Sequence, residues 1–321
     1  MFVPKVSISV PIYNAEKYLR KCLDSLVNQT LQEIEIVVVN DGSTDSSEAI
    51  CREFANKDPR IILISKENGG SASARQTALE VAKGDFLCAC DADDWVEPEM
   101  YEKLYKKAIE SDADIVMCDY WSEYPNGRQV AHKFKYDLEM RSDLLDDALN
   151  KKFPTMVWNK IFKRSLFEKY QLSWEQGINM GEDFLMMIKI LSHPIKVSYL
   201  PTQLYHYRRI IGGASYTNSV SLSTYNQLLR IRHWTDEHID KSKYSNGIFI
   251  QWLDQAFAGL RVKEGMTSKY YKETTLNKIQ YSDFFRFNYP RLKGLVVFVT
   301  KLLGYKVGKS IVRLMYRYIY H

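Results

Sequence analysis

Residues 85–95 read DFLCACDADDW, an apolar run that ends in Asp91, Asp93 and Asp94 and is closed by Trp95. Three carboxylates within four positions repel one another and raise each other's pKa unless a cation compensates. Carboxylates at a spacing of two suit a hard divalent ion that also takes phosphate oxygens, the usual way Mg2+ or Mn2+ is bound. A calcium loop would spread its ligands over a longer stretch. The alternative is a solvated acidic turn, which the apolar approach disfavours. Trp95 reads as packing, and Asp94 receives no role.

Other segments could carry chemistry beside it. VPIYN ends an apolar run at Pro11, with Tyr13 able to offer a ring to a base and Asn14 able to cap the next helix. In NDGSTD, Asp41 follows a run of branched residues and could accept hydrogen bonds from a base or ribose, or the segment is simply a capping turn. ENGGSASAR sets Gly69 and Gly70 before a helix of small residues, which lets a ligand approach closely and favours anions at the helix start. Arg75 in that segment could reach a phosphate or a rim carboxylate. Neither GxxxxGK[ST] nor GxGxxG occurs there. Glu182 and Asp183 open an apolar helix, either as ordinary acids at a helix N-terminus or as a general base for a hydroxyl. LYHYRR alternates as a strand and puts His206 opposite Tyr205 and Tyr207, as a structural histidine or as a metal or phosphate ligand.

Something must bring these segments together. Compact apolar runs at 6–10, 34–39, 61–64, 86–90 and 115–118 have the look of strands buried on both faces. Helical patterns at 15–29, 71–82 and 98–109 lie between them. This alternation predicts an α/β layer with a largely parallel sheet, whose ligands bind beyond the carboxyl ends of the strands. PIYN, NDGSTD, KENGG and DADD would then share one rim. Residues 121–140 predict a hairpin about a Pro-Asn-Gly turn, 142–150, 164–170 and 182–191 short helices, and 221–240 and 247–263 longer ones.

The bulk numbers bound the rest. A chain of 321 residues, 45% hydrophobic and 26% charged, is an ordinary globular protein. Five cysteines lie in apolar segments without disulfide or metal spacing, which fits a reducing cytoplasm, and residues 1–10 resemble a strand rather than a secretion signal. No apolar run reaches the ~20 residues of a membrane span. The net charge is +5, but residues 284–321 hold eight Lys/Arg and no acid, leaving 36 basic against 39 acidic residues elsewhere. Nucleic acid is therefore not an expected partner. The basic, aromatic tail predicts a helix lying on an anionic membrane surface, or else a terminal helix packed on the protein or in a dimer.

The ordered set VSISVPIYNAEKYL, EIVVVNDGSTDSS, KENGGSASARQTAL, GDFLCACDADDW, WNKIFKRSLF, GEDFL and YHYRR resembles the family-2 inverting glycosyltransferases of the GT-A fold, which build bacterial polysaccharides and other cell-surface glycans such as capsule and exopolysaccharide. The resemblance spans about residues 5–215. It implies a catalytic domain over 1–215 and a helical region over 216–321. It implies that Pro11, Tyr13 and Asp41 hold the base of a nucleotide sugar, most simply a UDP-sugar, with Glu16 nearby. It places Arg75 by the base or phosphates, Asp91 at the ribose, Ala92 in the donor site, Asp93 on Mn2+ or Mg2+, and His206 as a further metal or diphosphate ligand. Arg208, in the donor site, and Arg209 would lie on a mobile segment ending in GGAS. Asp183 would be the catalytic base, with Glu182, Trp158, Asn159 and Lys160 on the acceptor side. The acceptor would be a glycan or lipid-linked oligosaccharide at the inner face of the cytoplasmic membrane. QLLRI lacks the tryptophan of the Gln-x-x-Arg-Trp motif of processive synthases, so single addition is expected. Two rival readings are a sugar-phosphate nucleotidyltransferase, which should carry a glycine-rich basic loop near its start, and a non-catalytic nucleotide-sugar-binding or scaffold protein.

Overall fold

The computed structural model describes residues 3–134, 138, 143–210, 220–287 and 291–318. Two compact units emerge, one of Met1–Ser142 with Thr155–Gly213 and the other of Asp143–Pro154 with Ala214–His321.

The first unit opens with β1 (Val6–Ile12), α1 (Glu16–Val27), β2 (Ile34–Asp41), α2 (Ser47–Lys57), β3 (Ile61–Lys66), α3 (Ser71–Val81) and β4 (Phe86–Ala89). It continues with β5 (Trp95–Val96), α4 (Met100–Ser111), β6 (Ile115–Glu123) and β7 (Gln129–His132). After α5 (Leu144–Leu149), which belongs to the second unit, come β8 (Lys160–Lys163), α6 (Arg164–Lys169), α7 (Glu182–Leu191) and β9 (Val197–Arg208). The strands form one sheet in the order β3-β2-β1-β4-β8-β6-β9-β5, with β7 on β6 as the expected hairpin. β1 to β4 are parallel, β8 runs against β4 and β6, and β9 is parallel to β6. All eight residues of β2 are buried, as branched residues covered on both faces should be.

A polar tie inside this apolar layer fixes β1 and β2 relative to the turn before β4. Ser7 Oγ donates to Glu35 Oε1 at 2.5 Å, Lys83 N donates to the same oxygen, and Gly84 N donates to Ser7 Oγ at 2.8 Å. Register then brings the carboxyl ends of β1, β2 and β3 level, with Ile12 beside Asn40 and Asp41 beside Lys66.

The second unit holds α5, α8 (Leu222–His238), α9 (Ser245–Arg261), α10 (Ser268–Thr274), a 3-10 turn at Leu276–Lys278, α11 (Asp283–Arg286), α12 (Arg291–Leu303) and α13 (Tyr305–Tyr318). Its core gathers Tyr225, Phe249, Leu253, Tyr271, Ile279, Val296, Val297 and Val312. Residues 143–154 group with the second unit rather than with the strands that flank them in sequence. Tyr244 and Asn246 hydrogen-bond Asp143 and Asn150, and Gly247 lies so close to Leu149 that a Cβ would come within 2.5 Å of it. The segment GGAS, assigned above to a mobile loop, lies outside the described residues.

Glu35→Ala would leave the Ser7 hydroxyl and the Lys83 amide without their acceptor. Urea denaturation should show a loss of about 1–3 kcal/mol. A change below about 0.5 kcal/mol, the size of an ordinary surface substitution, would contradict the role of the tie.

Candidate functional site

The loops after β1, β2, β3 and β4 meet on one rim, as the strand directions require. Asp41, buried at the end of β2, accepts from Lys66 Nζ at 2.8 Å and from the amides of Gly69 and Gly70 at 2.9 and 2.7 Å. It thereby shapes the loop that leads into α3. Gly70 has φ +86°, and a Cβ there would fall about 2.1–2.3 Å from the Asn179 side chain, so this crossing requires glycine. Between the β1 and β2 loops, Asn14 Oδ1 accepts from Thr44 N and Glu16 Oε2 from Ser46 N, at 2.8 and 2.9 Å. Glu16 thereby ties the two loops together on the rim. Tyr13 is 54% exposed on the rim, beside half-buried Pro11.

Arg75, on α3 and 5% exposed, draws the acidic segments together. Its Nη2 lies 2.8 Å from Asp91 Oδ1, and its Nη1 lies 3.0 Å from Glu182 Oε1 and 3.3 Å from Asp183 Oδ1. Trp174 stacks on the guanidinium at 5.2 Å. Burial works against this charge, but Asp183, Asp91 and Glu182 outweigh it and hold the Arg75 pKa above the ordinary arginine value. Gly181, at φ +81°, starts α7 so that Glu182 and Asp183 both lie in its first turn. Glu182 also accepts from Ser71 Oγ at 2.9 Å. Asp183 Oδ2 accepts from Val157 N at 3.3 Å, whereas Oδ1 has no hydrogen-bond donor among the described residues. Burial pushes Asp183 up to about 7, opposed by Arg75 and assisted by Glu182 and Asp91.

The three aspartates of DADD have separate fates. Asp94 turns inward, 1% exposed, and accepts from the Tyr205 hydroxyl and the Arg208 amide, both at 2.7 Å. Burial, with Asp93 and Asp91 nearby, holds it well above the usual carboxylate range. Asp93 makes no side-chain hydrogen bond or ion pair among the described residues, and burial together with Asp91 pushes it up to about 6. Ala92 between Asp91 and Asp93 is buried. Arg208 donates Nε to the Asp93 carbonyl at 2.7 Å and stacks on Tyr18 and Trp95, each at 4.8 Å. Arg209 instead reaches Ser122 Oγ.

Trp95 does more than pack. It pairs with His206 across β5 and β9, stacks on that ring at 5.0 Å, and carries Lys21 Nζ 3.1 Å from its own ring centre. His206 itself is committed, Nδ1 to Glu123 at 2.7 Å and Nε2 to Glu97 at 2.9 Å. Both ring nitrogens are thus engaged by carboxylates of the fold. Trp158, Asn159 and Lys160, expected on the acceptor side, are all buried. Trp158 stacks on Tyr205 and Tyr207, and Asn159 bonds the Cys118 carbonyl. Lys160 Nζ donates to Met156 O and Asn159 Oδ1, and burial pushes it down to about 7. These residues brace the turn whose Val157 amide meets Asp183.

Among the described residues no three His, Cys, Asp or Glu side chains gather as a closed metal centre. The unpartnered Asp93 carboxylate instead fits an ion held by one or two carboxylates and by a ligand's phosphates. Trp174, Asn179, Ser71 and the Val157 amide escaped the sequence reading, because nothing in their spacing links them to the rim. Tyr205 was visible only as one face of an alternating strand.

In comparison with known proteins, residues 7–171 match Glycosyl transferase family 2. The chain is 41% identical over 214 residues to the glycosyltransferase GlyA of Streptococcus pneumoniae, covering 64% of this chain but only 30% of GlyA. It is 32% identical over 222 residues to GlyG of the same organism, covering 64% of this chain and 71% of GlyG. In structure it is similar to S. aureus TarS 1–349 in complex with UDP-GlcNAc, with a TM-score of 0.65 at 20% identity over 98% of this chain and 91% of that one. That likeness is one of fold.

Glu182→Gln keeps an oxygen for Ser71 and Arg75 but removes a charge that raises Asp183. A carbon-13 titration of the Asp183 carboxyl should show a midpoint near 7 in the parent that moves to lower pH in the variant. A midpoint that stays put or rises would refute this electrostatic assignment.

Proposed function

The chain belongs to glycosyl transferase family 2 and has its GT-A fold, and from that premise we propose that it transfers one sugar, with inversion, from a nucleotide sugar to a hydroxyl of a glycan acceptor. The observation that carries this reading is the Asp183 carboxylate, held in the first turn of α7 by the Val157 amide on Oδ2 and by the Arg75 charge 3.3 Å from Oδ1, which is buried and accepts no hydrogen bond among the described residues. A pKa near 7 suits a general base at neutral pH.

In the proposed reaction Asp183 takes the proton of the acceptor hydroxyl. The hydroxyl oxygen then bonds to the anomeric carbon from the face opposite the nucleotide. The bond from that carbon to the phosphate oxygen breaks, and its electron pair leaves with the nucleoside diphosphate. An α-linked donor would give a β-glycoside. Exposed Tyr13 offers a stacking face for the base, and the Asp41-shaped loop supports it. The remaining guanidinium nitrogens of Arg208, whose Nε is fixed on the Asp93 carbonyl, suit the diphosphate. Asp93 would hold Mn2+ or Mg2+, which when bound supplies Lewis-acid stabilisation of the leaving diphosphate. Arg75, already surrounded by carboxylates, orders Asp91, Glu182 and Asp183 rather than binding phosphate. The UDP-GlcNAc held by the TarS fold relative favours a uridine donor. A lipid-linked acceptor in cell-surface glycan synthesis is the proposed setting.

Asp183→Asn should lower kcat by about 10²–10⁴, the range of general-base catalysis, with UDP affinity by calorimetry nearly unchanged. In the parent, transfer should climb from about pH 6 to 8 with its half-maximum near 7, because only the ionised carboxylate accepts the proton. Parent-like turnover in the variant, or a flat profile across that range, would overturn the assignment of the base.

A further inference from the structure

The last two helices of the second unit are built into its core and yet carry an open apolar face. Val296, Val297 and Thr300 of α12 and Tyr305, Val312 and Met315 of α13 are buried, and Gly308 lies against Thr300 with no room for a Cβ. On the other side of α12, Leu292, Leu295, Leu302 and Leu303 are 49, 58, 55 and 65% exposed. Their spacing puts all four on one stripe of the helix. Phe285, 83% exposed, packs its ring 6.0 Å from Phe298 and extends this apolar side. The outer side of α13 mixes exposed Val307 and Leu314 with exposed Lys306 and Arg313.

Charge decides what such a face fits. Residues 284–321 hold eight Lys/Arg and no acid. A second copy would bring like charges together, whereas an anionic lipid surface offers both counter-charge and an apolar boundary. We propose that this face of the second unit docks in the plane of an anionic bilayer, with the leucine stripe and Phe285 at the acyl boundary and Lys306 and Arg313 among the headgroups. It does not cross: among the described residues no helix is long and apolar enough to span a membrane. Nor is the surface a detachable tail, because the inner halves of the same helices complete the core of the unit.

Truncation would therefore unfold the unit, so the test uses exposed point variants of the full chain. Flotation with vesicles of phosphatidylcholine alone is compared with vesicles of equal parts phosphatidylcholine and phosphatidylglycerol. The parent should float with the anionic vesicles only, and less so in high salt. Leu302→Ser with Leu303→Ser, and separately Lys306→Glu with Arg313→Glu, should each lower the bound fraction by about tenfold or more, with unchanged thermal unfolding. The proposal is overturned if the parent fails to float, if neutral vesicles bind it equally, or if neither variant matters. It is likewise overturned if light scattering shows a dimer that the leucine variant dissociates while vesicles do not bind.

Discussion

The guanidinium of Arg75 sits within 3.3 Å of oxygens from Asp91, Glu182 and Asp183, which arrive from the end of β4 and the first turn of α7. No arrangement of this rim is affordable without it, because three carboxylates taken partly out of water repel one another and each loses hydration. The cation fixes where α7 begins relative to β4. It also sets the protonation of Asp183, by opposing the burial that raises it. Trp174 covers the guanidinium and keeps the charge in place.

That compensation stops short of Asp93. Asp94 is satisfied from within by Tyr205 and the Arg208 amide, and so ties β9 to the turn after β4. The Asp93 carboxylate has no such partner among the described residues and lies in a setting that disfavours its charge. The sequence DADD thus divides into a carboxylate held by Arg75, one held by the fold and one without a side-chain partner among the described residues. On this account the last is the place for a divalent ion bearing a diphosphate.

The α/β alternation, the parallel order of the first strands and the helix at 182–191 were legible in the sequence, because hydrophobic period and glycine punctuation are local signals. Asp183 and Asp91 were legible as candidates for the same reason. Their shared partner was half legible: Arg75 reads as a rim cation, but only folding shows both of its terminal nitrogens on carboxylates. What sequence could not carry was commitment. Glu16, His206 and Lys160 have residue types that suit ligand contacts, and folding shows Ser46 on one Glu16 oxygen, Glu97 and Glu123 on the His206 nitrogens, and Met156 and Asn159 on the Lys160 ammonium. Such partners lie up to 109 residues away in the chain, beyond any pattern of spacing.

The central claim is that Arg75 offsets the charge of Asp91, Glu182 and Asp183 and leaves Asp93 to bind the exogenous cation. Electron paramagnetic resonance of Mn2+ titrated into the protein with UDP tests it most directly, comparing the parent with Asp93→Asn and Asp183→Asn. The account predicts that Asp93→Asn weakens Mn2+ binding by at least about tenfold, as loss of a metal-site group does, while Asp183→Asn leaves it near the parent value. Mn2+ binding that survives intact in Asp93→Asn would contradict it.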